Sequence, residues 1–143
     1  MPQKTFGQYF KENMNALGLP APDSLFGTAA TATGTIKTLS DLVIKFGTSV
    51  TLAELLRTSP SLAAGASELS TVGSAALATF YLGACIGSLA VATGQATSGG
   101  YSISDLFASA RGIGIYHAPW MHDVFSEVTH AKASGRRMIV RSA

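Results

Sequence analysis

The stretch VGSAALATFYLGACIGSLAVATG, Val72 to Gly94, is the middle of a longer run, Leu69 to Ser104, that carries no charged side chain between Glu68 and Asp105. About 20 mostly apolar residues suffice to cross a bilayer as a helix, so the run is long enough to do so. A helix buried in an all-α core carries the same signature, because both environments exclude charge on every side. Within the run, Leu77, Phe80, Leu82, Ile86, Leu89 and Val91 supply the bulk, and these are the side chains expected to contact lipid. At helical spacing Thr79, Gly83, Gly87, Ala90 and Gly94 share the other side, with Gly83 and Gly87 forming a GxxxG step. Glycine inside a helix costs about 1 kcal/mol against alanine. Several on one face therefore need an offsetting close approach between helices, the kind that drives association in lipid. The face is expected to pack helices together in a homo-oligomer. Leu, Ile, Phe and Val gain only a few tenths of a kcal/mol each on insertion, and small residues dominate the window. As a membrane span it is marginal, suited to late or oligomeric insertion.

The bulk composition agrees with a helical protein poor in charge. The 143 residues make one domain, in which 13% of the side chains are charged against about 25% in typical soluble domains. The expected segments are an N-terminal amphipathic part over 1–22, an apolar helical core over 24–98 and C-terminal helices with a basic tail over 102–143. A formal charge of +2 spread along the chain does not indicate nucleic-acid binding. The single cysteine, Cys85, lies inside the apolar run and reads as a small buried residue. No continuous apolar h-region stands near the start, so no secretory leader is expected, and export would need a route without one.

Outward from the central run, hydrophobic periodicity predicts helices throughout. Phe6, Tyr9, Phe10, Met14 and Leu17 form one stripe, ended by Gly18 and read as a helix docked on the rest of the fold. Asp23 or Ser24 would cap a continuous element through LFGTAATATGTIKTLSDLVIKFG. Its small, uncharged first half could be what the glycine face packs against, and its second half presents Ile36, Leu39, Leu42, Val43 and Phe46. Lys37, Asp41 and Lys45 fall on one face as a solvated stripe. Thr51 and Glu54 have capping-box spacing, opening a short helix over 52–58. Ser59-Pro60 opens the main helix, expected over about 60–95. Ser102 to Asp105 starts another helix, and Pro119 opens one through WMHDVFSEVTHAKA. The tail carries Lys132, Arg136, Arg137 and Arg141 with no acid, a bias that would hold the C-terminus on the cytoplasmic side of a membrane. The fold class expected is all-α, a helical bundle or hairpin around a long Gly/Ala-rich apolar helix.

One group of chemical side chains stands out: His117, His122, Asp123, Glu127 and His130, near Trp120. Asp123, Glu127 and His130 share a helix face, a spacing that can hold a metal. No HExxH, cysteine set or second ligand cluster accompanies them, so they read as solvated residues and no metal or cofactor is expected. There is no GxSxG elbow, no P-loop and no GxGxxG after a strand. The chain is not expected to be an enzyme.

The central Gly/Ala-rich GACIG helix, without a signal peptide and with a charged C-terminal helix, resembles the small pore-forming effectors delivered by bacterial type VI secretion. The resemblance covers mainly residues 24–100. It implies a toxin that travels with a secretion carrier, inserts in a bacterial inner membrane, forms cation-passing pores and is countered by an immunity protein. It implies no catalytic residues. The alternative from another class is a pilin-like structural subunit of a filament or secretion channel, whose Ala/Gly helices pack against copies of themselves. A third is an all-α adaptor domain that ignores lipid.

Overall fold

In the computed structural model the described residues are 5–17, 19, 21–52, 54–55, 78–94, 102–115 and 119–133, and among them the regular elements are all helices. They are α1 (Phe6–Ala16), α2 (Asp23–Phe26), α3 (Ala29–Phe46), α4 (Ala78–Ala92), α5 (Ile103–Gly112) and α6 (Pro119–Ala133). Helix α4 lies at the centre and packs against α1, α3, α5 and α6. The predicted all-α class holds, arranged as helices gathered around one apolar element.

Local chemistry explains each boundary. Thr5 opens α1 with a capping box: its hydroxyl accepts the Gln8 N–H and the Gln8 side chain accepts the Thr5 N–H. Phe10, Met14 and Leu17 are buried as the stripe predicts, whereas Tyr9 is exposed and Asn13 takes a place in the buried face. The element expected to run unbroken from residue 23 divides in two. Helix α2 follows Pro22, which gives no side-chain cap, and the chain bends at Gly27-Thr28 before α3. Thr28 supplies the second N-cap, accepting the Thr31 N–H at 3.2 Å while Thr31 Oγ1 accepts the Thr28 N–H. The bend has a packing cause as well. A Cβ on Gly7 of α1 would stand 2.8 Å from the Gly27 carbonyl oxygen, so the missing side chain at Gly7 lets α1 approach the backbone of the bend. Thr35 closes the corner by donating to the Leu25 and Thr31 carbonyls, each at 2.9 Å.

Along α3, Ile36, Leu39 and Val43 face the core with Ala32, Thr35 and Ser40. Lys37, Asp41 and Lys45 are exposed, as their spacing predicts, and so is Phe46, which the same pattern assigns to the core. The Thr51–Glu54 capping box forms, with the Glu54 N–H donating to Thr51 Oγ1 and Glu54 Oε1 accepting from Thr51. The remainder of that predicted short helix, and the predicted main helix before Ala78, lie outside the described residues. What is described of the main helix spans 15 residues, about 22 Å at 1.5 Å per residue. It ends at Ala92, and Gly94 turns the chain with φ of +82°. A long apolar helix is thus not what the described residues contain. Ser102 caps α5 through a box with Asp105, and Leu106 and Ala110 sink into the core. Phe107 of α5 meets Phe125 of α6 edge to face at 4.8 Å between ring centroids.

Candidate functional site

The candidate site is α4 itself, together with the sheath that keeps it from water. Every residue from Ala78 to Val91 is buried, so the helix has no polar side, unlike α1 and α3, which bury one stripe each. An isolated α4 in water would leave all of that apolar surface exposed. At roughly 25 cal/mol per Å2, burying it is a main contribution to the bundle. Different neighbours cover different sides.

The small-residue side meets α6. A Cβ on Gly83 would lie 2.8 Å from Val124 Cγ1, 3.1 Å from Val128 Cγ2 and 3.7 Å from Phe125 Cδ1. The absence of a side chain at Gly83 is what lets α6 settle against α4. By helical spacing Tyr81 and Ser88 lie on the opposite side, and there α1 closes the contact. Asn13 Nδ2 donates to Ser88 Oγ at 2.8 Å between buried side chains. A row of aromatic rings links Phe6 and Phe10 of α1 (5.9 Å), Phe10 and Phe26 (4.7 Å) and Phe26 and Tyr81 (6.3 Å). From α5, Ser109 Oγ donates to the Ile86 carbonyl at 3.2 Å, and at the start of α4 the Ala78 N–H donates to the Val50 carbonyl at 3.1 Å. Direct hydrogen bonds inside a dry core hold more firmly than at the surface, and unmaking one costs its full desolvation.

The predicted residues are placed as follows. Thr79, Gly83, Gly87 and Ala90 are buried within the single chain, and Gly94 is exposed in the turn. The close approach at Gly83 is therefore intramolecular in this fold, made with α6 and not with the small residues of 24–36, where Gly34 is exposed. Phe80, Leu82, Ile86, Leu89 and Val91, expected to meet lipid, are buried inside the bundle in this fold, and Leu77 lies outside the described residues. The reason is that four helices supply enough apolar surface to enclose α4. Among the described residues no helix is long and apolar enough to cross a membrane. His122, Asp123, Glu127 and His130 are exposed along α6, and among the described residues no group of His, Cys, Asp or Glu could hold a metal ion. Of the basic tail, Lys132 falls in α6, and Arg136, Arg137 and Arg141 lie outside the described residues.

Sequence reasoning missed Asn13 and Ser109 as core ties. Asn13 stands three residues after Phe10 and seven after Phe6, so its place on the buried stripe was available from spacing alone. Its partner in α4 was not.

Cys85 is buried, and removal from water pushes its thiol well above the usual range, partly offset by a hydrogen bond from Tyr81. A thiol held neutral in the fold contributes stability that is complete below the unfolded value, about 8.5. That contribution is lost as pH rises from there towards the folded value. Above about pH 8.5 the parent is therefore expected to lose stability steadily relative to Cys85→Ala as pH rises. Urea denaturation of both chains across this range checks it, and parallel curves would contradict burial of the thiol.

Among the described residues, fold and site together define a helical bundle that encloses one uncharged, mostly apolar helix. Comparisons with protein families, with curated proteins and with solved structures return no match for this chain.

Proposed function

We propose that the chain is a membrane-inserting toxin of the bacterial effector kind, carried folded in water and forming ion-permeable pores after α4 leaves its sheath. The observation that supports this reading is the all-round burial of α4. An α-helix without a polar side belongs either in a protein core or in a bilayer, and a chain that keeps it enclosed can transfer it from one to the other. The helices around it are amphipathic, so they can exchange their apolar stripes from α4 to the interfacial layer of a membrane. The 15 residues of α4 fall short of a hydrocarbon core of about 30 Å. The inserted span would therefore recruit uncharged neighbours from the run Leu69 to Ser104.

Once α6 moves away, the face carrying Gly83 is free for a second copy, and small residues drive that association in lipid. Thr, Ser and backbone carbonyls would then line a narrow wet path. The filament-subunit reading gains less support. A chain that polymerised through its glycine face would present that face when folded, and here Val124 and Val128 cover Gly83. A secretion carrier and an immunity protein are the partners this function would require.

Purified protein added to liposomes of anionic lipid is expected to release trapped dye and collapse an imposed potential, with no filaments visible by electron microscopy of the same sample. Intact liposomes accompanied by filaments would replace the pore with the structural subunit. Intact liposomes with an unchanging monomer would leave a helical adaptor domain.

A further inference from the structure

We infer that the C-terminal tip of α3, Ile44 to Phe46, is where the folded chain first docks on an anionic lipid surface. This rests on the membrane reading above and adds to it a point of contact that precedes any opening of the bundle.

The argument begins with exposure. Val43 is buried, yet Ile44, Lys45 and Phe46 are all exposed in succession. Successive helical residues point about 100° apart, so three exposed in a row cover more than half of the circumference. The last three residues of α3 therefore project from the bundle while Val43 anchors the turn in the core. Ile44 is 71% exposed and Phe46 43%, and with Tyr9 they are the exposed large apolar side chains among the described residues. Gly47, at φ +100°, then turns the chain through the exposed Thr48 and Ser49 before Val50 returns to the core. The result is an exposed corner that carries two large apolar side chains.

The shape and charge of that corner select the partner. A protein partner would need a pocket to receive a protruding Ile and Phe, whereas a bilayer interface admits them without any matching shape. Interfacial binding grows with the apolar area buried and with attraction to anionic lipid. Lys45 holds its ammonium 5.3 Å from the centre of the Phe46 ring, so cation and apolar side chain would reach the headgroup layer together. Lys37 lies two turns back on the same exposed stripe, and Asp41 is the one acid of α3. Lys45 also offsets the carbonyl end of the helix, which would otherwise repel lipid phosphates.

The test places a reporter at the tip. Trp120 is the one tryptophan of the chain, so Phe46→Trp in a Trp120→Phe background gives fluorescence from the tip alone. With vesicles of mixed phosphatidylcholine and phosphatidylglycerol, its emission is expected to shift to the blue and to be quenched by brominated acyl chains. The Ile44→Ser, Phe46→Ser chain is expected to co-sediment with the same vesicles about tenfold less than the parent. Its thermal stability should hold, since neither side chain is in the core. An unshifted reporter, or equal sedimentation of parent and variant, overturns the docking site. So does a parent dimer that the serine variant abolishes without any change in vesicle binding. Docking through the tip without dye release would sustain this inference and sink the pore. Undiminished dye release by the serine variant would sustain the pore and sink the docking site.

Discussion

Gly83→Leu is expected to destabilise the bundle by about 3 kcal/mol, at the upper end of what overpacking a filled core costs. The physical reason is that the first carbon of any side chain at this position already falls 2.8 Å from Val124 Cγ1 and 3.1 Å from Val128 Cγ2. Both neighbours are β-branched, with few rotamers to retreat into, so leucine must push α6 off α4. Gly83→Ala is a milder case. One methyl group must displace Val124, while the helix gains about 1 kcal/mol from losing glycine, and the two effects nearly cancel. Adding Val124→Ala to Gly83→Ala removes the nearest contact and should restore or exceed parental stability, a coupling that a double-mutant cycle in urea resolves. Should Gly83→Leu unfold at the parental urea concentration, α6 does not pack here as described. The same substitution bears on the proposed pore, because leucine would also fill the face on which a second copy is proposed to pack.

A chemical lock across that seam is expected to abolish leakage. In a Cys85→Ala background, Gly83→Cys with Val124→Cys replaces the crowding methyl by a bond. The Val124 Cβ lies one carbon–carbon bond beyond the 2.8 Å contact, which brings the two Cβ atoms within the roughly 3.5–4.5 Å that a disulfide takes. Oxidised, this chain should hold α6 on α4 and release dye from liposomes at least about tenfold more slowly than when reduced. Adding dithiothreitol to the same sample should restore leakage, which separates a locked protein from a damaged one. Equal leakage by the oxidised and reduced forms would show that α4 need not leave α6, and the insertion mechanism would fall. The lock is informative because the two states differ in one covalent bond and in no side chain.

Much of the fold is legible in the sequence. The capping boxes at Thr51/Glu54 and Ser102/Asp105 declare themselves by residue type and spacing, and Pro119 marks the start of α6. The break between α2 and α3 escapes this kind of reading. Thr28 and Thr31 cap each other through hydroxyl groups, without the glutamate or glutamine that marks a box in sequence. The small residues around them look continuous with the helix on either side. Spacing with Ile36, Leu39, Leu42 and Val43 assigns Phe46 to the core. A helical stripe shows which side a residue takes but not where the neighbouring elements stop, and at Phe46 the bundle has already ended.

The glycine face gives the sharpest division between sequence and structure. From the sequence alone it followed that the centre of this chain is an uncharged helix, because a run without charges tolerates only dry surroundings. It also followed that Gly83 belongs to a close helical contact, because a helix-interior glycine is unfavourable without one. Which surroundings enclose α4 in the folded chain, and which helix meets Gly83, were decided by tertiary structure. Core and bilayer impose the same demand on side-chain polarity, so composition cannot distinguish them. What distinguishes them is whether the rest of the chain brings enough apolar surface to enclose α4 on every side, and α1, α3, α5 and α6 together do.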